Sequence, residues 1–532
     1  SAPRRPDPET DATSPPVPVT IFSGGPILTM DRAHPTPELV VVEHDRIVAV
    51  GDAELADRYP DAHAVDLAGR TLAPGFIDAH NHLCIAALHP RWADLGDVRT
   101  PEALRAALRA QADAEPQAGW VRGVGWSDIE DGFTPTRHDL DALGLDRPVI
   151  AVHYSYHECV VSSAGLDALG LSDTSPDPPG GTLGRSETGA LNGVLYERAF
   201  SAAHERSMAP YRDPDRWADH IVDAANGLLR EGIVSVHDAA CPPSAEHVYR
   251  TLARHQRLPV SMVLMPHGEA LLGPLDAPRL DGPPTGDGDE RLRTGPVKLF
   301  ADGGVLPAIG GHINGHPISL GLVFDHLEAE VRRVVEHGFG IAVHALGNRG
   351  AEATLGAFAA AARVRPDDEV LFRIEHATLL SGDQTRRMAD LGVIAVVQPG
   401  FLHHMGGAVQ GFQLDESNWM PFGELAASGV AIAGSSDAPC AFREPLLTSA
   451  RGVTRVTSKG AVLDATQSIP YEDWLRAYTV DAARAGGQEN DRGQLKAGLQ
   501  ADLVVLEGEF DPLHPPSVSE TWVAGERVYA SA

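Results

Sequence analysis

Residues 72–83 read LAPGFIDAHNHL. Within them GFIDAH, at 75–80, is a short apolar run closed by a histidine. An apolar run of this length, bounded by turn residues, is the pattern of a strand covered on both faces. Seven more runs follow: VSVHDA (234–239), VSMVLM (260–265), VKLFAD (297–302), IAVHAL (341–346), FRIEHA (372–377), IAVVQP (394–399) and VAIAGSSDAP (430–439). Most carry a His, Asp or other polar residue at or near the end, and Ala- and Leu-rich helical stretches separate them. Eight such strands alternating with helices predict an α/β fold, the (β/α)8 TIM barrel.

The spacing supports that count. Runs starting at 234, 260, 297, 341, 372, 394 and 430 fit a unit of about 31 residues in a barrel of about 250. The gap from 75 to 234 is far too long for one unit, so an α+β insertion is expected after the first strand, at about 95–215. It contains SDTSPDPPGGTLGR, which reads as an exposed loop. Outside the expected barrel, at 74–492, the texture changes. VTIFSGGPILTM, ELVVVEHDRIVAVGD and HAVDLAGRTLAPG alternate Val and Ile with Gly and Asp, an antiparallel β pattern. The same texture returns in GLQADLVVLEGEF and SETWVAGERVYA. A small β-sandwich assembled from both ends, 19–73 plus 493–532, is the expectation. Residues 1–18 hold six prolines and no apolar segment, so they read as a disordered tail rather than a signal peptide.

Composition narrows the function. A net charge of −30 argues against nucleic acid and against an anionic membrane surface. No apolar run approaches the about 18 residues a membrane span needs. The four cysteines, Cys84, Cys159, Cys241 and Cys440, lack C-x-x-C spacing, which fits buried thiols in a reducing cytoplasm. A small-molecule substrate is the expected partner, and a homodimer is the commonest default assembly.

In such a barrel the chemistry sits at the C-terminal ends of the strands. Those ends carry His80, His82, Lys298, His344, His376 and Asp437. Residues two apart on an extended segment point the same way, so His80 and His82 can face one ion. His344 and His376 come from adjacent strands and converge on a second position. Imidazole nitrogen and carboxylate oxygen are the usual ligands of an open zinc site. An H-x-H alone is a common coincidence, and a single strand-end histidine such as His237 reads better as a hydrogen-bonded core residue.

Taken together, LAPGFIDAHNHL, VKLFADG, IAVHALGNRG, FRIEHATLL, GSSDAP and GQLKAGLQADLVVL resemble the amidohydrolase superfamily. GWVRGVGW, DRPVIAVHYSYH and GGTLGR narrow the likeness to its family 3 branch, the YtcJ-like and N-substituted formamide deformylase-like proteins. The resemblance implies that His80, His82 and Asp437 hold one divalent metal, zinc first among the candidates, and that His344 and His376 hold another. Lys298 would bridge the two as an N6-carboxylated side chain, since an ammonium has no lone pair; the alternative is a cationic substrate anchor beside a single metal. It implies hydrolysis of a non-peptide carbon–nitrogen bond in an amide, formamide or cyclic amide, with Asp437 as catalytic proton shuttle. Alternatives on the same barrel are a deaminase, an isomerase or lyase, and a non-catalytic binding relative. His157, Trp126, Tyr154 and His312 are candidate substrate contacts. For the aromatic pair the alternative is the insertion's own core. For His312, in the Gly-rich GGVLPAIGGHINGH, the choice lies between a lid and an irregular surface loop. His403-His404 is similarly open. Gly347-Asn348-Arg349 departs from the branch's Gly-Asp-Arg, which removes an anionic partner expected near His344.

Overall fold

The structure, a computed structural model, describes residues 19–128, 133–268, 279–364 and 370–531. The expected tail at 1–18 lies outside them. Eight parallel strands form the barrel: β1 (Phe76–Asn81), β2 (Ile233–Cys241), β3 (Ser261–Pro266), β4 (Val297–Phe300), β5 (Ile341–Ala345), β6 (Phe372–His376), β7 (Ile394–Val397) and β8 (Ile432–Gly434). Each falls on one of the eight apolar runs. Continuous parallel pairing joins β1 to β2 and β3, and β4 through β8. The two arcs meet where Gly268 N–H donates to Lys298 O (3.0 Å), and where Asp437 N–H donates to His80 O (2.8 Å) and His82 N–H to Ala438 O (2.9 Å). Closure therefore uses the backbone of the very segments that carry the histidines. The last run ends as a strand at Gly434, where its apolar residues give way to Ser435, Ser436 and Asp437, and the chain leaves the sheet there.

Helices such as Asn348–Ala361, with Ala351, Leu355 and Phe358 buried, cover the outside. The 3.6-residue period puts these side chains on one stripe, and burying such stripes against the strands supplies most of a helix's stability.

Two four-stranded sheets form the sandwich. One is built from Val19–Ser23, Leu39–Glu43, Arg46–Gly51 and His63–Asp66, the other from Thr71–Pro74, Leu503–Glu507, Ser517–Val523 and Glu526–Ala530. Their shared core includes Phe22, Val40, Leu72, Leu503, Val505 and Trp522, with Phe22 and Trp522 edge to face at 5.0 Å. The antiparallel expectation fails at one pair, Val19–Ser23 with His63–Asp66, which is parallel. The short helix Ala53–Arg58 lies in the connection between the strands of that pair.

After β1 the insertion contributes a mixed six-stranded sheet running from Ala93–Asp94 to Gly181–Arg185. Its strand Leu191–Glu197 buries alternate residues, the period-2 signature of a sheet covered on one face. Among the described residues no helix is long and apolar enough to cross a membrane.

Candidate metal centre and active site

His80 ends β1 fully buried. Its Nδ1–H donates to the Glu375 carboxylate of β6, which is itself gripped by Arg373 through Nε (2.8 Å) and a terminal nitrogen (2.9 Å). That bond fixes the tautomer and leaves the Nε2 lone pair toward the barrel mouth. His82 is fixed the same way: Nδ1–H donates to Ala239 O at 3.0 Å. Both Nε2 atoms then converge on Asp437 Oδ1, at 3.4 Å from His80 and 3.2 Å from His82. The ligand atoms of these three residues all lie within 4.8 Å of one another.

Asp437 is held from below. Asp78 accepts from Ser436 N–H (2.9 Å), Ser436 Oγ–H (2.5 Å) and Asn81 Nδ2–H (2.8 Å). Burial pushes the Asp78 carboxyl up to about 6, against these donors. The resulting clamp ties β1 to the turn after β8, where Asp437 sits at φ 57. Burial acts to raise the Asp437 carboxyl, but His82, His80 and His376 outweigh it and hold it well below the usual carboxylate range.

The second pair lies alongside. His344 and His376 have ring centroids 4.6 Å apart, and His376 lies 5.0 Å from His80. The His376 Nδ1–H donates to Gln398 Oε1 (2.9 Å), whose amide nitrogen is anchored on Ser435 (2.9 Å). Burial lowers His376 to about 4 and holds His344 well below its ordinary value, with Lys298 adding to both shifts. Lys298, 1% exposed, lines the same cavity with its Nζ 4.8 Å from the Phe300 ring centroid.

The donor set fits a divalent cation. His80 Nε2 is buried without a hydrogen-bond partner among the described residues, and desolvating such a group unpaired is costly. Neutral imidazoles facing a carboxylate offer lone pairs and no proton, which is what a cation requires.

The cavity above these residues measures about 180 Å³ and is also lined by Tyr154, His157, Glu197 and His404. His157 Nδ1–H donates to Glu197 Oε2 at 2.7 Å. Burial opposes protonation of His157, yet the Glu197 carboxylate prevails and raises its affinity for a proton. Glu197 also accepts from Val305 N–H at 3.0 Å and Leu306 N–H at 3.3 Å, joining the insertion to the loop after β4.

The structure brings His80, His82, Lys298, His344, His376, Asp437, His157 and Tyr154 together, and leaves two candidates outside. Trp126 is 1% exposed within the insertion's core and donates to Ala151 O at 3.1 Å. Its apolar ring is worth more there than at a cavity wall. His312 is exposed on a β-hairpin, Ile309–Ile313 with His316–Leu320, and pairs with Glu416 at 2.7 Å. The Gly-rich stretch is thus regular structure, because Asp415 accepts from the turn at Asn314 and Gly315. Asn348 pins the same hairpin, its Oδ1 accepting from Gly310 N–H (3.0 Å). The carboxylate near His344 comes instead from Asp302, 3.8 Å from His344 Nε2.

Glu375, Arg373, Gln398, Glu197 and Asp302 are the functional neighbours that sequence reasoning missed. Arg373 and Glu375 did carry a signal: two charges at i and i+2 inside an otherwise apolar strand share one face. His237, the strand-end histidine read as core, accepts from Arg373 at 3.2 Å and bonds Gln488 at 3.3 Å. Burial, with Arg373, lowers it to about 3. Its neutral form is favoured on folding, so this contribution is complete above pH 6.5 and is lost as pH falls toward 3. Unfolding free energies from urea titrations between pH 7 and 5 should fall with a slope of up to about 1.4 kcal/mol per pH unit from this group. His237→Gln should flatten the slope by about one proton's worth; an unchanged slope would contradict the assignment.

The sequence profile described as amidohydrolase family matches residues 63–529. An N-substituted formamide deformylase of Arthrobacter pascens is 30% identical over 499 residues, 90% of this chain and 92% of that one. The YtcJ protein of Bacillus subtilis (strain 168) is 28% identical, over 96% of this chain and 99% of its own. In fold, the chain is similar to an uncharacterized metal-dependent hydrolase from Pyrococcus horikoshii OT3, with a TM-score of 0.73 at 24% identity, covering 93% of this chain and 98% of that one. With the profile spanning the barrel and part of the sandwich, and a relative at 30% identity matched almost end to end, the chain belongs to the amidohydrolase family.

Proposed function

We propose that this protein is a metal-dependent hydrolase of non-peptide carbon–nitrogen bonds, acting on an amide, formamide or cyclic amide. The observation that carries this reading is the convergence of the His80 and His82 lone pairs on the Asp437 carboxylate, each tautomer fixed from behind. His80, His82 and Asp437 would hold one cation and His344 and His376 a second, with Lys298 between them as a carbamate. Zinc is the first candidate, since imidazole and carboxylate donors suit it. The cation supplies Lewis acidity, which makes water acidic near neutral pH and polarises a carbonyl.

The chain's own residues do the rest. Asp437 enters the reaction as a carboxylate, accepts the proton of the attacking water and passes it to the departing nitrogen as the carbon–nitrogen bond breaks. His157, steadied by Glu197, directs its ring toward the carbonyl oxygen, where charge develops in the tetrahedral intermediate. The apolar walls exclude bulk water, so these charges act at full strength.

Purified protein should carry at least one equivalent of divalent metal and cleave members of a panel of N-formyl, N-acyl and cyclic amides when metal-replete. Well under one equivalent, or no cleavage across the panel, would sink the reading. His157→Asn should lower kcat by about 10²–10³-fold, the cost of a lost oxyanion donor, with metal content unchanged. A wild-type kcat in that variant would remove His157 from the chemistry.

A further inference from the structure

Two cavities adjoin at the barrel mouth. The reaction cavity, about 180 Å³, has room for little more than benzene, which fills an engineered cavity of about 150 Å³. A second cavity of about 1030 Å³ lies between the insertion and the loops after β7 and β8. Tyr154, His404, Pro439 and Cys440 bound both. The Tyr154 and His404 rings stack at 6.1 Å, and His404 lies 4.8 Å from Phe442 on the far side. A row of flat rings therefore runs from one cavity into the other.

Charge in the larger cavity is negative on balance, two carboxylates against one guanidinium among the described lining residues. Asp94 and Asp97 line it. The arginine among its described lining residues, Arg99, spends a terminal nitrogen on Gly96 O (2.8 Å) and Val98 O (2.9 Å). Ring faces favour apolar or cationic groups, and two carboxylates disfavour an anion.

We propose that the second cavity is an extended substrate subsite, taking an amide substituent that is longer than a phenyl ring and either uncharged or cationic. This rests on the hydrolase reading above and adds the class of substrate. The reacting amide occupies the small cavity and the substituent runs along the Tyr154–His404–Phe442 rings into the large one. Each buried methylene contributes about 0.8 kcal/mol, so long substituents gain in kcat/KM over short ones.

The test uses N-methyl, N-octyl, N-(ω-aminooctyl) and N-(ω-carboxyoctyl) formamides on metal-replete enzyme. Wild type should show octyl and aminooctyl kcat/KM at least about tenfold above both methyl and carboxyoctyl. Two substitutions fill the second cavity from opposite walls. Gly96 has space for a side chain, its Cβ meeting only Asp94 Oδ1 at 3.2 Å, so Gly96→Trp projects from the insertion; Ala441→Phe projects from the barrel side. Either should lower the octyl-to-methyl ratio by about tenfold. An unchanged ratio in a variant with the wild-type thermal midpoint overturns the inference, as does a preference for carboxyoctyl. If neither variant folds, the wild-type series decides alone. Cleavage of methyl with refusal of octyl overturns this inference and leaves the hydrolase reading standing; cleavage of none overturns both.

Discussion

Asp437→Asn should lower kcat by about 10²–10⁴-fold, the range that a positioned proton-transfer group contributes, while the enzyme keeps most of its metal. Asparagine preserves shape and one ligand oxygen but cannot accept the proton of the attacking water. It is also the substitution the backbone tolerates. Asp437 sits at φ 57, a left-handed conformation that Asp and Asn adopt more readily than other L-residues. Alanine there would add about 1–2 kcal/mol of backbone strain and mix a folding defect into the kinetics. The decisive measurement is single-turnover hydrolysis beside metal content. If the Asp437→Asn enzyme retains metal and turns over at the wild-type rate, the proton passes through another group.

Glu375→Ala is expected to be the most destabilising single change near the site, by about 3–5 kcal/mol. It strands the fully buried Arg373 guanidinium and removes the acceptor of His80 Nδ1–H. Metal affinity should fall by about 10–100-fold, because His80 loses the partner that fixes its ring and tautomer. Arg373 also donates to Ala79 O (2.7 Å) and Ala485 O (2.9 Å), so the cluster stitches β6 to β1 and to the helix Val480–Ala485. Glu375→Gln, which keeps the size and one acceptor, should recover part of both losses. Urea unfolding and metal titration read the two effects separately. A Glu375→Ala stability within about 1 kcal/mol of wild type would mean that the Arg373 charge finds another partner.

These two residues mark different limits of sequence reading. Asp437 was legible because GSSDAP closes an apolar run at the position where barrel strands present their chemistry. Glu375 was overshadowed by the histidine beside it, although its charge in a buried strand needed a partner. Nothing local names that partner as His80, at the far end of the barrel's chain order. The same holds for Glu197. It ends a strand whose alternation is readable, yet its role comes from a loop after β4 that folds back on it.

Trp126 and His312 show the converse. An aromatic residue in an insertion and a histidine in a Gly-rich stretch are compatible with a binding wall, a core or a surface. Only packing separates these: Trp126 is enclosed with Leu95, Leu108 and Val149, and His312 is drawn outward to Glu416.

By itself the sequence determined the eight strands, the sandwich at both ends, the insertion after β1 and the polar residues offered at the strand ends. Those are consequences of hydrophobic period and chain order, which are local and survive without coordinates. Tertiary structure alone decided which nitrogen of each histidine faces the mouth, which carboxylate steadies it, and how the insertion divides the space above the barrel into a small cavity and a large one. These depend on contacts between residues far apart in the chain. A hydrogen bond fixes a tautomer, and a packed ring fixes a wall, only once folding has brought both partners to within a few ångströms.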